Sequence, residues 1–235
     1  PGRHSHFKKF ELSKEQHIKL AKMCINNNVQ YSASVWDLSR FDWIDAFLKF
    51  YKVGSGDLTA YSLLESIAKI GKPIVLSDFA DNPGGGGYGD GTHLLKGLIE
   101  AKLKNVAFGT IYDPDAVKTC TDQGLGSLVV VSIGGKTDPV YGAPISVKGK
   151  VQAVTDGKFR LEGPMMAGTP IDMGSTVVLD IDGIEVILTS ERFQVFDLMY
   201  FKHARIDVST KDVVVVKSAH HFRAAFGPVS SEILV

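Results

Sequence analysis

The chain has 235 residues, 44% hydrophobic and 22% charged, with 26 basic and 26 acidic side chains and a net charge of +0. This is globular composition with room for one large core or two modest ones. Without a basic stripe or a like-charge run, nucleic acid and acidic membranes are poor partners. No apolar run reaches the roughly 20 residues that cross a bilayer, and the N-terminus has no signal-peptide core. Cys24 and Cys120 lie far apart and outside any CxxC, which reads as two reduced thiols in a cytoplasmic protein. The opening PGRHSHF lacks Met and the close at EILV falls in an apparent strand, so a fragment is expected.

The first elements run in short strand–helix units. Ser13 reads as the N-cap of a helix whose apolar face is Ile18, Leu20, Ala21 and Met23, stopped by Asn26-Asn27-Asn28. A strand is expected over 29–35 and a helix over 41–48, capped by Asp37 or Ser39. A strand over 51–54, a helix over 62–70 ended by Gly71, and a strand over 73–77 follow. Short connections without hairpin turns predict a parallel βαβαβ arrangement. Polar residues recur at the strand ends: Ser34; Lys52 with Ser55 and Asp57; Ser77. In a (β/α)8 barrel those ends form the reaction face. Lys52 reads either as a clamp for phosphate or carboxylate or as an edge lysine reaching water.

The segments FKKFELSKEQHIKLAKMC, VQYSASVWD, FYKVGSGDL and LLESIAKIGKPIVLS resemble the sialic acid synthase family over about residues 3–77. The resemblance implies a TIM barrel that condenses phosphoenolpyruvate with an N-acetyl amino sugar, using manganese or magnesium. It implies that Lys52 and Ser55 hold phosphoenolpyruvate, with Ser34, Asp57 and Ser77 on the same face. The departures are large. Asp78-Phe79-Ala80 stands where the family continues Thr-Gly-Met, and only about three of the eight barrel units are present. A three-stranded slice leaves open edges that must pair, within the chain or in a homodimer that could bury Trp36, Trp43, Phe47 or Phe50.

From residue 78 the texture changes. DNPGGGGYGDGT at 81–92 leads into a helix over 93–103 capped by Thr92 or Asp90. Strand, glycine loop and helix start is a geometry in which backbone N–H groups can cradle an anion. The loop is neither a Walker A nor a Rossmann fingerprint, and a flexible linker is the competing reading. A strand over 106–112, a helix over 114–123 and a strand over 128–133 follow. Hairpins are expected at Asp156-Gly157 and Asp182-Gly183. A helix over 193–203 and a wholly apolar strand over 213–216 complete the series, before a short helix entered through Lys217-Ser218-Ala219-His220-His221-Phe222-Arg223.

DNPGGG with GDGT, DPDA at 113–116, SIGGK at 132–136, GPM at 163–165, LTSERFQVFD ending at Asp197, and VVVVKSAHHFRAAF at 213–226 resemble, in order, the C-terminal domain of the MlrC (microcystinase) metallopeptidase family. The resemblance implies amide hydrolysis of a peptide or small-molecule substrate by a zinc enzyme. It implies a substrate wall of Asp81, Asn82, Gly84, Gly85, Gly86, Gly87, Asp90 and Thr92, faced by Lys217, His220, His221 and Arg223 as the catalytic set. Lys217, Arg223 and N–H groups suit an oxyanion. Adjacent histidines on a helix point about 100° apart, which is unsuited to one metal. The family's zinc ligands belong mainly to a large N-terminal domain, so no metal or cofactor is expected in this chain, and no peptidase activity from it alone. The expected architecture is α/β: residues 1–77 a partial (β/α) segment, residues 78–235 an α/β domain with antiparallel strands toward its end. A fusion or a non-catalytic recombinant accounts for both halves.

Overall fold

The computed structural model describes residues 12–29, 31, 40–48, 74–229 and 233–234. The strands expected over 29–35 and 51–54 and the helix over 62–70 fall mainly or wholly outside them. So do Ser34, Lys52, Ser55 and Asp57.

Helix α1 (Lys14–Asn26) starts at a capping box: Ser13 Oγ accepts from the Gln16 N–H, and the Gln16 side chain accepts from the Ser13 N–H at 2.7 Å. Asn28, at φ 55°, ends it. Its apolar stripe is only partly covered: Ala21 is buried, while Leu20 and Met23 stay exposed. A single turn, α2 (Phe41–Ile44), and a 3-10 turn (Asp45–Phe47) replace the continuous helix expected over 41–48. The Leu48 N–H is shared between Ile44 and Asp45 carbonyls, the tightening that ends many helices. Ala21, Tyr31, Ile44 and Leu48 join the same apolar cluster as Leu76 and Leu94, so this part of the N-terminal segment packs on the rest of the molecule.

The centre is an open sheet. Its strands are β1 (Ile74–Ser77), β2 (Val106–Tyr112), β3 (Leu128–Ile133), β4 (Ile145–Thr155), β7 (Thr176–Ile181), β8 (Ile184–Thr189), β9 (Val213–Val216) and β10 (Ile233–Leu234), ordered β10-β1-β9-β2-β8-β7-β4-β3. From β10 to β8 neighbours are parallel, and from β8 to β3 antiparallel. Among the described residues there is no closed barrel. Strand β1 lies between β9 and β10, so Ile74–Ser77 belongs to this sheet.

The parallel strands are apolar on both faces because both faces are covered. In β9, Val213 and Val215 enter one cluster and Val214 and Val216 the other. Each such fully buried valine contributes about 1.5–3 kcal/mol relative to exposure. On the first face lie α3 (His93–Glu100), through Leu94, Leu95 and Leu98, and α4 (Pro114–Gln123), through Ala116, Val117 and Cys120. On the second lie α5 (Met199–Lys202) and α6 (Arg223–Phe226), with Tyr200, Phe201 and Phe226.

Three sequence expectations shift. Helix α3 stops at Glu100, closed by Lys102 at φ 54° and a Leu103 N–H bond to the Leu98 carbonyl. The helix expected over 193–203 is only the turn α5: Val195 is fully buried in irregular chain, and Asp197 Oδ1 accepts the Met199 N–H where the turn begins. Asp156-Gly157 makes no hairpin with β4. β4 pairs with β3 along Ile145–Lys150 and with β7 along Lys150–Thr155, and after the turn the chain leaves the sheet for a separate pair, β5 (Lys158–Arg160) with β6 (Pro170–Asp172). Asp182-Gly183 does form its hairpin: Ile181 pairs with Ile184, and both turn residues have positive φ, 52° and 93°.

Candidate functional site

The carboxyl ends of the parallel strands meet on one edge of the sheet, where ligands of open α/β folds bind. Four loops arrive there: residues 78–92 after β1, Asp113 after β2, residues 190–194 after β8, and residues 217–222 after β9.

Lys217 follows four buried valines and is itself fully buried. Its ammonium has three hydrogens and three acceptors: Asp78 Oδ2 at 2.7 Å, Asp81 Oδ2 at 2.9 Å and the Gly91 carbonyl at 3.0 Å. Burial alone would drive its pKa down. Asp78 and then Asp81 drive it up, and the carboxylates prevail, so the ammonium titrates above its ordinary value. With every donor committed, Lys217 has no N–H to offer an oxyanion, against the expectation for it.

Asp81 explains the glycine loop. Its Oδ1 accepts the Gly89 N–H at 2.8 Å and its Oδ2 the Gly91 N–H at 2.6 Å. Asn82 Oδ1 takes the Gly84 N–H, and the Asn82 carbonyl takes those of Gly85 and Gly87. The Gly86 N–H goes to Pro83. The donors expected to cradle a ligand are turned inward: those of Gly89 and Gly91 hold the Asp81 carboxylate, and those of Gly84, Gly85, Gly86 and Gly87 close turns on Asn82 and Pro83. Gly87 has to be glycine because a Cβ would stand 2.7 Å from the Asp81 carbonyl carbon.

Asp90 and Thr92 brace this loop from beneath. Asp90 Oδ2 accepts the Lys136 and Thr137 N–H groups, at 3.0 and 2.9 Å. Thr92 precedes α3 but makes no capping bond: its hydroxyl donates to the Ala143 carbonyl at 2.7 Å. Asp113 caps α4 and pairs with Lys136 at 2.7 Å. The Ser77 hydroxyl donates to the Ser218 carbonyl, locking β1 to the loop after β9, so it is not directed at a phosphoenolpyruvate ligand.

Of the remaining expected catalytic residues, His220 and His221 are exposed and Arg223 is half-buried over the Phe222 ring. His221 reaches the loop after β8, with Gln194 Nε2 at 3.1 Å from its Nδ1. Gln194 and Arg192 carried no role in the sequence reading. Arg192 Nε donates to the Tyr88 carbonyl at 3.0 Å, and its guanidinium lies 4.2 Å from the centre of the Tyr112 ring. It thus stands oriented beside the glycine loop, with no ion pair among the described residues. The only sequence signal for either was the SERFQ run itself.

Zinc, implied for the hydrolase parent, finds no matching donor set. Among the described residues no group of three or more His, Cys, Asp or Glu side chains could hold a metal ion. Asp78 and Asp81 are already neutralised by Lys217 and by backbone N–H groups. Among those residues no helix is long and apolar enough to cross a membrane.

Comparison with known proteins divides the chain in two. Residues 76–235 match the family described as MlrC C-terminus, and residues 3–81 match the NeuB family. Microcystinase C of Sphingomonas sp. is 28% identical over 162 residues, covering 69% of this chain and 31% of that protein. N-acetylneuraminate-9-phosphate synthase of Drosophila melanogaster is 34% identical over 77 residues, covering 32% of this chain and 20% of the synthase. A crystal structure from Mesorhizobium sp. BNC1, described as a candidate metallopeptidase, superposes with a TM-score of 0.64 at 27% identity, over 70% of this chain and 33% of that one. The chain spans a third or less of each of these relatives. Its larger part carries the sheet, the glycine loop and the Lys217 network, and through that part the chain belongs to the MlrC C-terminus family.

Proposed function

We propose that residues 76–235 form one wall of the substrate cleft of an MlrC-type amide hydrolase, and that this polypeptide alone is catalytically incomplete. The observation that carries the reading is the meeting of two strand-end loops at Gln194, Ser218 and His221, directly beside a third, the glycine loop. This wall supplies N–H donors to a peptide substrate, from Arg192, His221 and Arg223. The buried Lys217 network keeps the wall rigid, which precise positioning of a substrate requires. Incompleteness is supported by the lack of a zinc donor set among the described residues and by the 31% coverage of microcystinase C. The segment matched to the NeuB family reads as a fused piece of a synthase.

The test is hydrolysis of a linear peptide with zinc, first by the chain alone and then with the remaining N-terminal portion of microcystinase C added. No cleavage alone and zinc-dependent cleavage on addition is the expected result. Turnover by the chain alone would refute incompleteness. Failure of every combination would remove the hydrolase reading.

A second reading rests on the match of residues 3–81 and the Drosophila relative: a phosphoenolpyruvate-condensing, N-acetylneuraminate synthase-like fragment. Manganese- or magnesium-dependent consumption of phosphoenolpyruvate with an N-acetyl amino sugar would favour it. Inertness in this assay is expected.

A further inference from the structure

The loop after β8 carries a glutamine whose carboxamide ties three strand ends together. Gln194 Nε2 donates to Ser218 Oγ at 2.9 Å and lies 3.1 Å from His221 Nδ1. Its two hydrogens match these two acceptors. The oxygen end lies against the methylene of Gly84, where a Cβ would stand 2.0 Å from Gln194 Oε1. A C–H group favours an amide oxygen over an NH2, so this contact indicates which way the carboxamide is turned. Ser218 is fully buried, and its carbonyl accepts from the Ser77 hydroxyl, so the residue that carries the Oγ on that side is held in place. An N–H directed at His221 makes Nδ1 the acceptor nitrogen. In the neutral ring the proton then sits on Nε2.

We propose that Gln194 is a positioning residue that holds His221 as its Nε2–H tautomer, so that the ring meets the substrate as a hydrogen-bond donor. The proposal rests on the reading that this edge lines the peptide cleft. A donor suits the carbonyl oxygen of the scissile amide, on which negative charge develops during hydrolysis. A zinc ligand or general base acting through Nε2 would need the opposite arrangement, with Nδ1–H donating to an acceptor.

Long-range proton–nitrogen NMR on the full chain with labelled histidine reads the tautomer directly, at about pH 8, above the ordinary imidazole range. In the wild type, Nδ1 of His221 is expected at the unprotonated position and Nε2 at the protonated one. Gln194→Glu offers only acceptors, so Nδ1 should move to the protonated position. An unmoved Nδ1 in that variant overturns the proposal, as does a wild-type ring already protonated at Nδ1. Should Gln194→Glu fail to fold, Gly84→Ala probes the contact from the other side. Its methyl displaces the carboxamide, and Nδ1 should shift toward a mixture of tautomers; a wild-type resonance there also overturns the proposal. The measurement needs no substrate, so failure of the hydrolase reading is seen separately, as peptide left uncut in the reconstitution above.

Discussion

Lys217 and Asp81 meet at 2.9 Å beneath the glycine loop, one side chain fully buried and the other nearly so. They come from the ends of neighbouring strands, β9 and β1, and Asp78 completes the group at 2.7 Å. A buried ion pair adds little over apolar packing, but removing one partner leaves charge without compensation. Lys217→Met is therefore expected to cost about 3–5 kcal/mol in urea unfolding. Adding Asp81→Asn should recover part of that loss, because the two residues share one network. A loss below about 1 kcal/mol would mean the pair is solvated in solution. Since the folded pKa of Lys217 is raised, its stabilisation is fully present below the ordinary value of 10.5 and fades as pH climbs through the folded value. Unfolding measured on the alkaline side reads this directly.

The Gly89–Gly91 end of the loop hangs on one carboxylate, that of Asp81. Asp81→Asn replaces an acceptor oxygen with an NH2 facing the Gly89 or Gly91 N–H. The expected cost is about 2–3 kcal/mol. Amide exchange at Gly89 and Gly91 should accelerate in that variant while β2 stays protected. Unchanged exchange at both glycines would show that the loop is held by something else.

On the opposite face, His203 is pressed against Phe159 at 4.7 Å, with Nδ1 bonded to the Met199 carbonyl at 3.1 Å and Nε2 buried without a hydrogen-bond partner among the described residues. Burial lowers its pKa below the ordinary 6.5, outweighing the backbone bonds that raise it. The unfolded chain then takes up a proton that the fold resists, so stability falls as pH drops from about 6.5 toward the folded value. His203→Gln should flatten the melting temperature across that window. His17 is lowered too but is more open to water, so a smaller dependence remains. A slope unchanged by the substitution would assign the acid sensitivity elsewhere.

Gly134 sits at φ +60°, and a Cβ there would stand 2.6 Å from both the Asp90 carbonyl oxygen and Thr92 Cγ2. Its N–H donates to Asp113 Oδ2 at 2.8 Å. Gly134→Ala combines a left-handed backbone with a clash and should lose about 2 kcal/mol in chemical denaturation. A neutral result would imply that the SIGGK turn can relax.

Much of the sheet could be read from the chain. The apolar run of β9 and the Asp182-Gly183 turn announce themselves, because both are local properties. Asp156-Gly157 has the same local chemistry and makes no hairpin with β4: the strand that follows it pairs with β6, a choice between distant partners that local sequence does not show. The glycine loop misled for a related reason: sequence marks a site of inward-facing N–H groups but not whose anion they hold. A clue was present, in Asp78 and Asp81 immediately after one buried strand and Lys217 immediately after another. Gln194 gave none, because its role depends on Gly84 and His221, which are distant in sequence and adjacent only in space.

Strand β1 has consequences for how the molecule is made. Its hydroxyl partner, Ser218, lies 141 residues downstream, and the strands on both its sides are the last two among the described residues. During synthesis the segment around residue 75 emerges long before either neighbour exists. Until then its backbone edges lack both partners, and pairing across so long a stretch of chain carries a loop-closure cost that local hairpins do not.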